Sequence, residues 1–225
     1  MGDEAPAESS NPDRYSRHAG PGPRTDWVAW HEAYDSPKGS LARRLERVRI
    51  RLAEALDAGP SGATVLSLCA GDGRDLLGVE MVTPPARAVL VELDRELAAR
   101  AAAAAAGRAW AEVRCADATD RDVFADVLPV DVLMACGILG NVDHDAVPAI
   151  ARGFAGLLAP SGVVIWTRGS GEPDRRGEVR AAFIDAGFEE LAFDGADDVF
   201  GVGVGRRVGP APTVQPDGPL FTFVR

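Results

Sequence analysis

The spacing of hydrophobic residues changes at Gly59-Pro60-Ser61-Gly62, and that change divides the chain into two parts. Upstream, apolar positions recur at helical spacing. Trp27, Trp30, His31 and Tyr34 stand at i, i+3, i+4 and i+7, which predicts a short helix over 27–34. Leu41, Leu45, Val48, Leu52 and Leu56 predict a second, amphipathic helix with Ser40 as its N-cap. Arg43, Arg44, Arg47 and Arg51 fall largely on the opposite face. Downstream, short apolar runs predict strands at 64–69, 88–93, 111–115, 130–136 and 162–167. Helical stretches at 75–82, 95–106, 120–128 and 146–158 separate or follow them, the alternation of a parallel sheet covered on both faces. A helix at 178–186 and strands at 188–193 and 199–208 come next, with residues 220–224 as one edge strand more. The loop between the last two long strands is too short for a parallel crossover, so those strands are expected to run antiparallel.

This organisation predicts a doubly wound, mostly parallel α/β sheet of seven strands, with helices on both faces and an antiparallel pair at its C-terminal end. Residues 1–24, rich in Pro, Ser, Gly and charge without periodicity, read as a flexible tail. Residues 25–60 read as a helical cap, and residues 61–225 as the main domain. Apolar residues make up 46% of the 225, enough for a real core. No apolar run reaches membrane-spanning length. The N-terminus lacks a secretory pattern, which points to the cytoplasm. Three cysteines, Cys69, Cys115 and Cys136, are widely spaced and make neither a disulfide framework nor a metal cluster. The net charge of -10 works against gripping nucleic acid.

The chemistry gathers at the ends of the first three strands, where a doubly wound sheet binds ligands. Strand one runs into Cys69-Ala70-Gly71-Asp72-Gly73-Arg74-Asp75, whose glycines allow close approach to the backbone. Glu92 ends the second strand, placed to accept both hydroxyls of an adenosine ribose. Asp117, after the third, is placed to accept from an adenine amino group. Each alone has a plainer reading, as a strand-end charge or a helix cap. The three in order, on consecutive strands, mark a nucleoside-like ligand. A nicotinamide dehydrogenase would need a third glycine where this chain has Leu76.

From Val65 to Val208 the chain resembles the class I methyltransferase family. Residues 65–73, 89–94, 114–118, 131–142 and the turn 158–162 carry the likeness. The resemblance implies S-adenosylmethionine as cofactor and S-adenosylhomocysteine as product. It implies contacts from Ser67, Cys69, Ala70, Gly71, Gly73, Glu92, Leu93, Asp117, Ala118 and Cys136. The family usually has an acidic residue where this chain has Ser67, and a glycine in place of Cys69. Asp72 or Asp75 is then left to meet the methionine ammonium.

The acceptor pocket is expected beyond the fourth and fifth strands, under the N-terminal helices. The fourth-strand loop lacks the Asn/Asp-Pro-Pro-Tyr/Phe sequence of members that methylate adenine or glutamine amino groups. With the acidity, this favours a small-molecule acceptor over nucleic acid or protein. Asn141 reads as an orienting residue or a loop cap, and His144 as a base or a solvated helix start. Arg168 either binds an acidic acceptor or is a loop charge. Trp30, His31 and Tyr34 close over the site or pack the helix, and one helix can do both. Two alternatives stay open: a non-catalytic S-adenosylmethionine-binding or sensing protein, and an RNA methyltransferase using the basic face of 41–56. A monomer or homodimer is expected.

Overall fold

A computed structural model describes residues 26–36, 39–195, 198–210 and 218–224; the tail expected over 1–24 lies outside them. Seven strands form one sheet: β1 (Thr64–Leu68), β2 (Arg87–Glu92), β3 (Ala111–Cys115), β4 (Val130–Ala135), β5 (Leu158–Gly169), β6 (Phe188–Asp194) and β7 (Phe200–Arg207). Their order is β3-β2-β1-β4-β5-β7-β6. β1 pairs in parallel with β2 on one side and β4 on the other, so the order reverses at β1. β7 inserts antiparallel between β5 and β6, as the short loop demanded.

Strand alternation sends successive side chains to opposite faces. From β1, Leu66 and Leu68 enter one core with Leu133, Ala135, Phe154, Trp166 and Phe183. Val65 enters the other with Leu52, Leu90, Met134, Ile165 and Val202. Helices α5 (Val147–Ala155) and α6 (Arg176–Asp185) cover the first face. Helix α2 (Ser40–Ala58) covers the second, packing on β7, β5 and α3 (Arg74–Leu77). Helix α4 (Arg95–Ala105) follows β2, with Asp94 accepting from the backbone of Glu96 and Leu97. Helix α1 (Trp27–Glu32) is capped by Asp26 and tightens into a 3-10 turn at Ala33–Asp35.

Several elements differ from their sequence pattern. The helix expected at 75–82 is the single turn α3, because the guanidinium of Arg49 takes the Arg74 carbonyl through two hydrogen bonds of 3.0 and 2.8 Å. That guanidinium lies where a side chain at Gly78 would be. The stretch 120–128 is a 3-10 segment, Arg121–Val127, broken at buried Phe124 by a non-helical backbone. Gly39, not Ser40, precedes the first turn of α2. Residues 220–224 add no strand to the sheet: Phe223 makes an isolated bridge to Val142, while Leu220 and Phe221 plug the first core.

The arginine face of α2 faces the β6–β7 hairpin. Arg51 holds Asp194 with hydrogen bonds of 2.7 and 2.8 Å, and Arg43 holds Asp198 at 2.9 and 3.1 Å. Arg44 departs from its expected place: it turns inward and lies against the rings of Trp30 and Tyr34.

Candidate functional site

The turn after β1 needs left-handed backbone at three positions. Cys69, Gly71 and Gly73 have φ of 53°, 57° and 76°. At Gly73 a Cβ would stand 2.8 Å from Leu77 Cδ1 and 3.0 Å from Leu90 Cδ2, so helix and strand close too tightly for a side chain. At Gly71 a Cβ would meet His31 Nε2 at 2.2 Å, because α1 roofs the turn. Cys69 holds its conformation at a cost of about 1–2 kcal/mol, and such strain collects at functional sites. Burial, aided by the charges of Glu92 and Asp117, pushes its thiol well above the usual range, so it stays protonated.

Backbone hydrogen bonds stitch the three strand ends together past the sheet itself. Ala70 N–H donates to the Val91 carbonyl at 3.0 Å, and Ala116 N–H to the Glu92 carbonyl at 2.9 Å. Glu92 is buried, and each of its carboxylate oxygens accepts one backbone N–H: Gly71 to Oε2 and Asp94 to Oε1, both at 2.8 Å. An ionised carboxylate has about four acceptor positions, so two backbone donors orient Glu92 and leave it able to accept from a diol. Beside it Leu93 presents a bare apolar side chain, 64% exposed. Asp117 is exposed and accepts from Thr119 N–H at 2.9 Å, leaving its second oxygen open. Ala118 and Ser67 are buried.

On the other side of the turn, four polar residues from distant segments converge. Cys136 follows β4, Asp75 lies in α3, Arg44 in α2 and Tyr34 in the 3-10 turn after α1. Arg44 donates to the Tyr34 hydroxyl. Burial drives the Tyr34 phenol upward. Burial also raises the Asp75 carboxyl, against the pull of Arg44 and Arg49. The Cys136 thiol, hydrogen-bonded to Asp75, is raised by burial and by that carboxylate. Asp72 behaves oppositely. Burial opposes its ionisation, but Arg74 grips it with bonds of 2.9, 2.9 and 2.5 Å and holds its carboxyl below the usual range. Arg74 in turn lies 4.7 Å over the Tyr34 ring. Trp30, His31 and Tyr34 contact one another edge-on or tilted, and His31 Nδ1 bonds the Trp27 carbonyl at 2.7 Å.

The remaining sequence candidates bond to other partners than the members of this cluster. Asn141 fastens its own loop, donating to the Gly137 carbonyl at 2.7 Å. His144 pairs with Glu178 of α6 at 2.6 Å, among the elements covering the first face. Arg168 donates to the Leu139 carbonyl, and burial lowers its affinity for its proton. Arg44 was missed by the sequence reading; its signal was its position three residues after Leu41 and four before Val48, at the rim of the apolar stripe.

No family model matches the chain, and no curated protein matches it. Solved structures do. One is the N-methyltransferase NodS from Bradyrhizobium japonicum in complex with S-adenosylhomocysteine: TM-score 0.61, 14% identity, covering 88% of this chain and 97% of that one. Another is an O-methyltransferase family protein from Burkholderia thailandensis: TM-score 0.59, 14% identity, covering 80% of this chain and 60% of that one. A third, from Bordetella parapertussis, is described as a possible exported protein: TM-score 0.62, 20% identity, covering 74% and 68%. The chain has the class I methyltransferase fold, a Rossmann-like seven-stranded sheet with the antiparallel C-terminal pair.

Proposed function

We propose that this protein binds S-adenosylmethionine at the carboxyl ends of β1, β2 and β3 and transfers its methyl group to a small-molecule acceptor. The observation that carries the reading is the Glu92 carboxylate, oriented by the Gly71 and Asp94 backbone with acceptor capacity left over. The residues present fit the group. Glu92 accepts the ribose hydroxyls, Leu93 offers an apolar face to the adenine, and Asp117 accepts from its amino group. Gly71 and Gly73 give the turn its left-handed backbone, Gly71 under the His31 ring and Gly73 where helix and strand close together. NodS with S-adenosylhomocysteine bound supports the choice of ligand through shared fold.

Bound there, the sulfonium supplies an activated methyl group. What the protein contributes is alignment of donor and acceptor and exclusion of water. Trp30, His31 and Tyr34 form the roof that excludes it. An acceptor that arrives protonated needs a base. His31 suits that role by geometry: the Trp27 carbonyl accepts from Nδ1–H, so the Nε2 lone pair points at the turn. Arg43 and Arg51 are engaged by Asp198 and Asp194, which supports a small acceptor over RNA on that face.

The test is calorimetry with S-adenosylhomocysteine, followed by incubation with methyl-labelled donor and a panel of phenols, amines, carboxylates and tRNA. Binding with label transfer to one small-molecule class is expected. Failure to bind S-adenosylhomocysteine overturns the reading. Binding without transfer to any acceptor favours a sensing role, and transfer to tRNA alone refutes the acceptor class.

A further inference from the structure

β1, β4 and β5 run parallel, so their carboxyl ends share one edge of the sheet. Ser67, Met134 and Ile165 form a row across the three strands. Equally far beyond that row stand Ala70, in the glycine turn, and Arg168, near the end of β5. Two strand spacings separate them, about 10 Å, the span of a small molecule. Val164 and Trp166 enter the core under α5 and α6. Alternation puts Arg168 on that same face, one step beyond Trp166, and it is half-buried there.

This arginine is held in place. Its guanidinium donates to the Leu139 carbonyl, in the loop after β4. Asn141 closes that loop onto the Gly137 carbonyl, and Gly137 N–H donates to Thr167 Oγ1 at 2.8 Å, so the loop and β5 fix each other. The acids nearby are engaged by other partners. Asp174 accepts from Arg176 Nε and Nη2 at 2.9 and 2.7 Å. Glu178 bonds His144 at 2.6 Å and lies 3.7 Å from Arg175. Both acids attract Arg168, but neither comes within ion-pair distance of it. Burial and the repulsion of Arg175 outweigh them and loosen its hold on its proton. A guanidinium offers five N–H donors, and among the described residues only the Leu139 carbonyl accepts from this one. An anion between Arg168 and Arg175 relieves their repulsion, and the two oxygens of a carboxylate match the fork of a guanidinium.

We propose that Arg168 selects the methyl acceptor by charge: the acceptor is a small carboxylic acid whose carboxylate Arg168 holds, with Arg175 adding attraction from the rim. The inference rests on the proposed function and names the acceptor class for it. The carboxylate is the handle, and another nucleophilic atom of the same molecule, a phenol, amine or alcohol, receives the methyl group. That atom's lone pair forms the new bond to carbon. The C–S bonding pair stays on sulfur, which leaves S-adenosylhomocysteine, and the nucleophile's proton passes to His31 Nε2.

The test uses protein saturated with S-adenosylhomocysteine and acid–amide pairs of matched shape: 4-hydroxybenzoate and 4-hydroxybenzamide, 4-aminobenzoate and 4-aminobenzamide, lactate and lactamide. Calorimetry is expected to show at least one acid bound roughly tenfold or more tighter than its amide, the worth of one charge-assisted hydrogen bond. Methyl-labelled donor, offered in place of S-adenosylhomocysteine, is expected to label that acid. Arg168→Gln is expected to remove the preference, weakening the acid by roughly tenfold and the amide by less than about twofold. S-adenosylhomocysteine affinity should stay unchanged in that variant, which also reports that it is folded. Arg168→Lys, which keeps the charge and loses the fork, should fall between the two. No acid bound better than its amide overturns the inference, and so does an acid preference that survives Arg168→Gln. Tighter binding of 4-aminophenyl phosphate than of 4-aminobenzoate overturns the carboxylate as the selected anion. Label transfer to amides and acids alike overturns this inference and leaves the proposed function standing. If the intact protein does not bind S-adenosylhomocysteine, the proposed function fails instead.

Discussion

Oε2 of Glu92 accepts the backbone N–H of Gly71 at 2.8 Å, so the acid that ends β2 also shapes the turn that follows β1. One side chain thereby serves conformation and recognition together. Glu92→Ala removes a buried acceptor from two backbone donors and the acceptor proposed for the ribose. S-adenosylhomocysteine affinity should fall by about 1.5–3 kcal/mol, measured by calorimetry. The same variant should unfold at lower temperature, because the Gly71 and Asp94 amides lose their partner. Unchanged affinity would remove Glu92 from the site.

Gly71→Ala tests the roof. The substitution pays about 1–2 kcal/mol for left-handed backbone and drives a methyl group into His31. In a double-mutant cycle followed by denaturant unfolding, His31→Ala should recover the steric part of the loss and leave the backbone part. Strict additivity of the two changes would show that α1 does not rest on the turn in solution.

Asp72 and Asp75 should give opposite pH dependences of stability. Asp72 is held below its ordinary value of 3.8, so the native state binds fewer protons than the unfolded chain. Its stabilisation is present above that value and is lost as pH falls. Asp75 is raised above 3.8, so the native state holds its proton longer, and stability declines as pH rises from 3.8 through the raised value. Asp75→Asn should therefore make the ligand-free protein more stable at neutral pH, and Asp72→Asn less stable. Urea titrations across pH 3 to 8 check both signs.

Arg176 closes the β6–β7 hairpin from inside, donating to the carbonyls of Gly195, Asp198 and Phe200 at 2.5, 2.8 and 3.1 Å. Arg176→Met leaves three acceptors without that donor and should cost roughly 2–4 kcal/mol, read by chemical denaturation. Because the hairpin is remote from Glu92, S-adenosylhomocysteine affinity of the folded fraction should not change. A loss of affinity would mean that the hairpin supports the site.

Period and punctuation were enough for the architecture. The alternation of short apolar runs with helices, and the short loop before β7, led to the seven-stranded sheet with its antiparallel pair. They failed where tertiary contacts compete with local preference. The helix expected at 75–82 stops after one turn because Arg49, from α2, occupies its carbonyl. The strand expected at 220–224 became a plug because Leu220 and Phe221 found the core under α5 before any sheet edge.

The candidate site divides in the same way. Gly71, Gly73, Glu92 and Asp117 were legible because a strand-end turn and strand-end acids are local: each is placed by its own strand, and strand order follows from the alternation. His31 over Gly71 and Arg44 beside Asp75 were not legible as partners. A hydrophobic stripe defines which face of a helix is buried, but a residue at its rim, such as Arg44, turns inward or outward according to what packs against it. Which of Asp72 and Asp75 takes the Arg74 guanidinium was likewise decided only in three dimensions. The two acids flank the same arginine in sequence, and the reach of the Arg74 guanidinium back to Asp72 engages one and leaves the other.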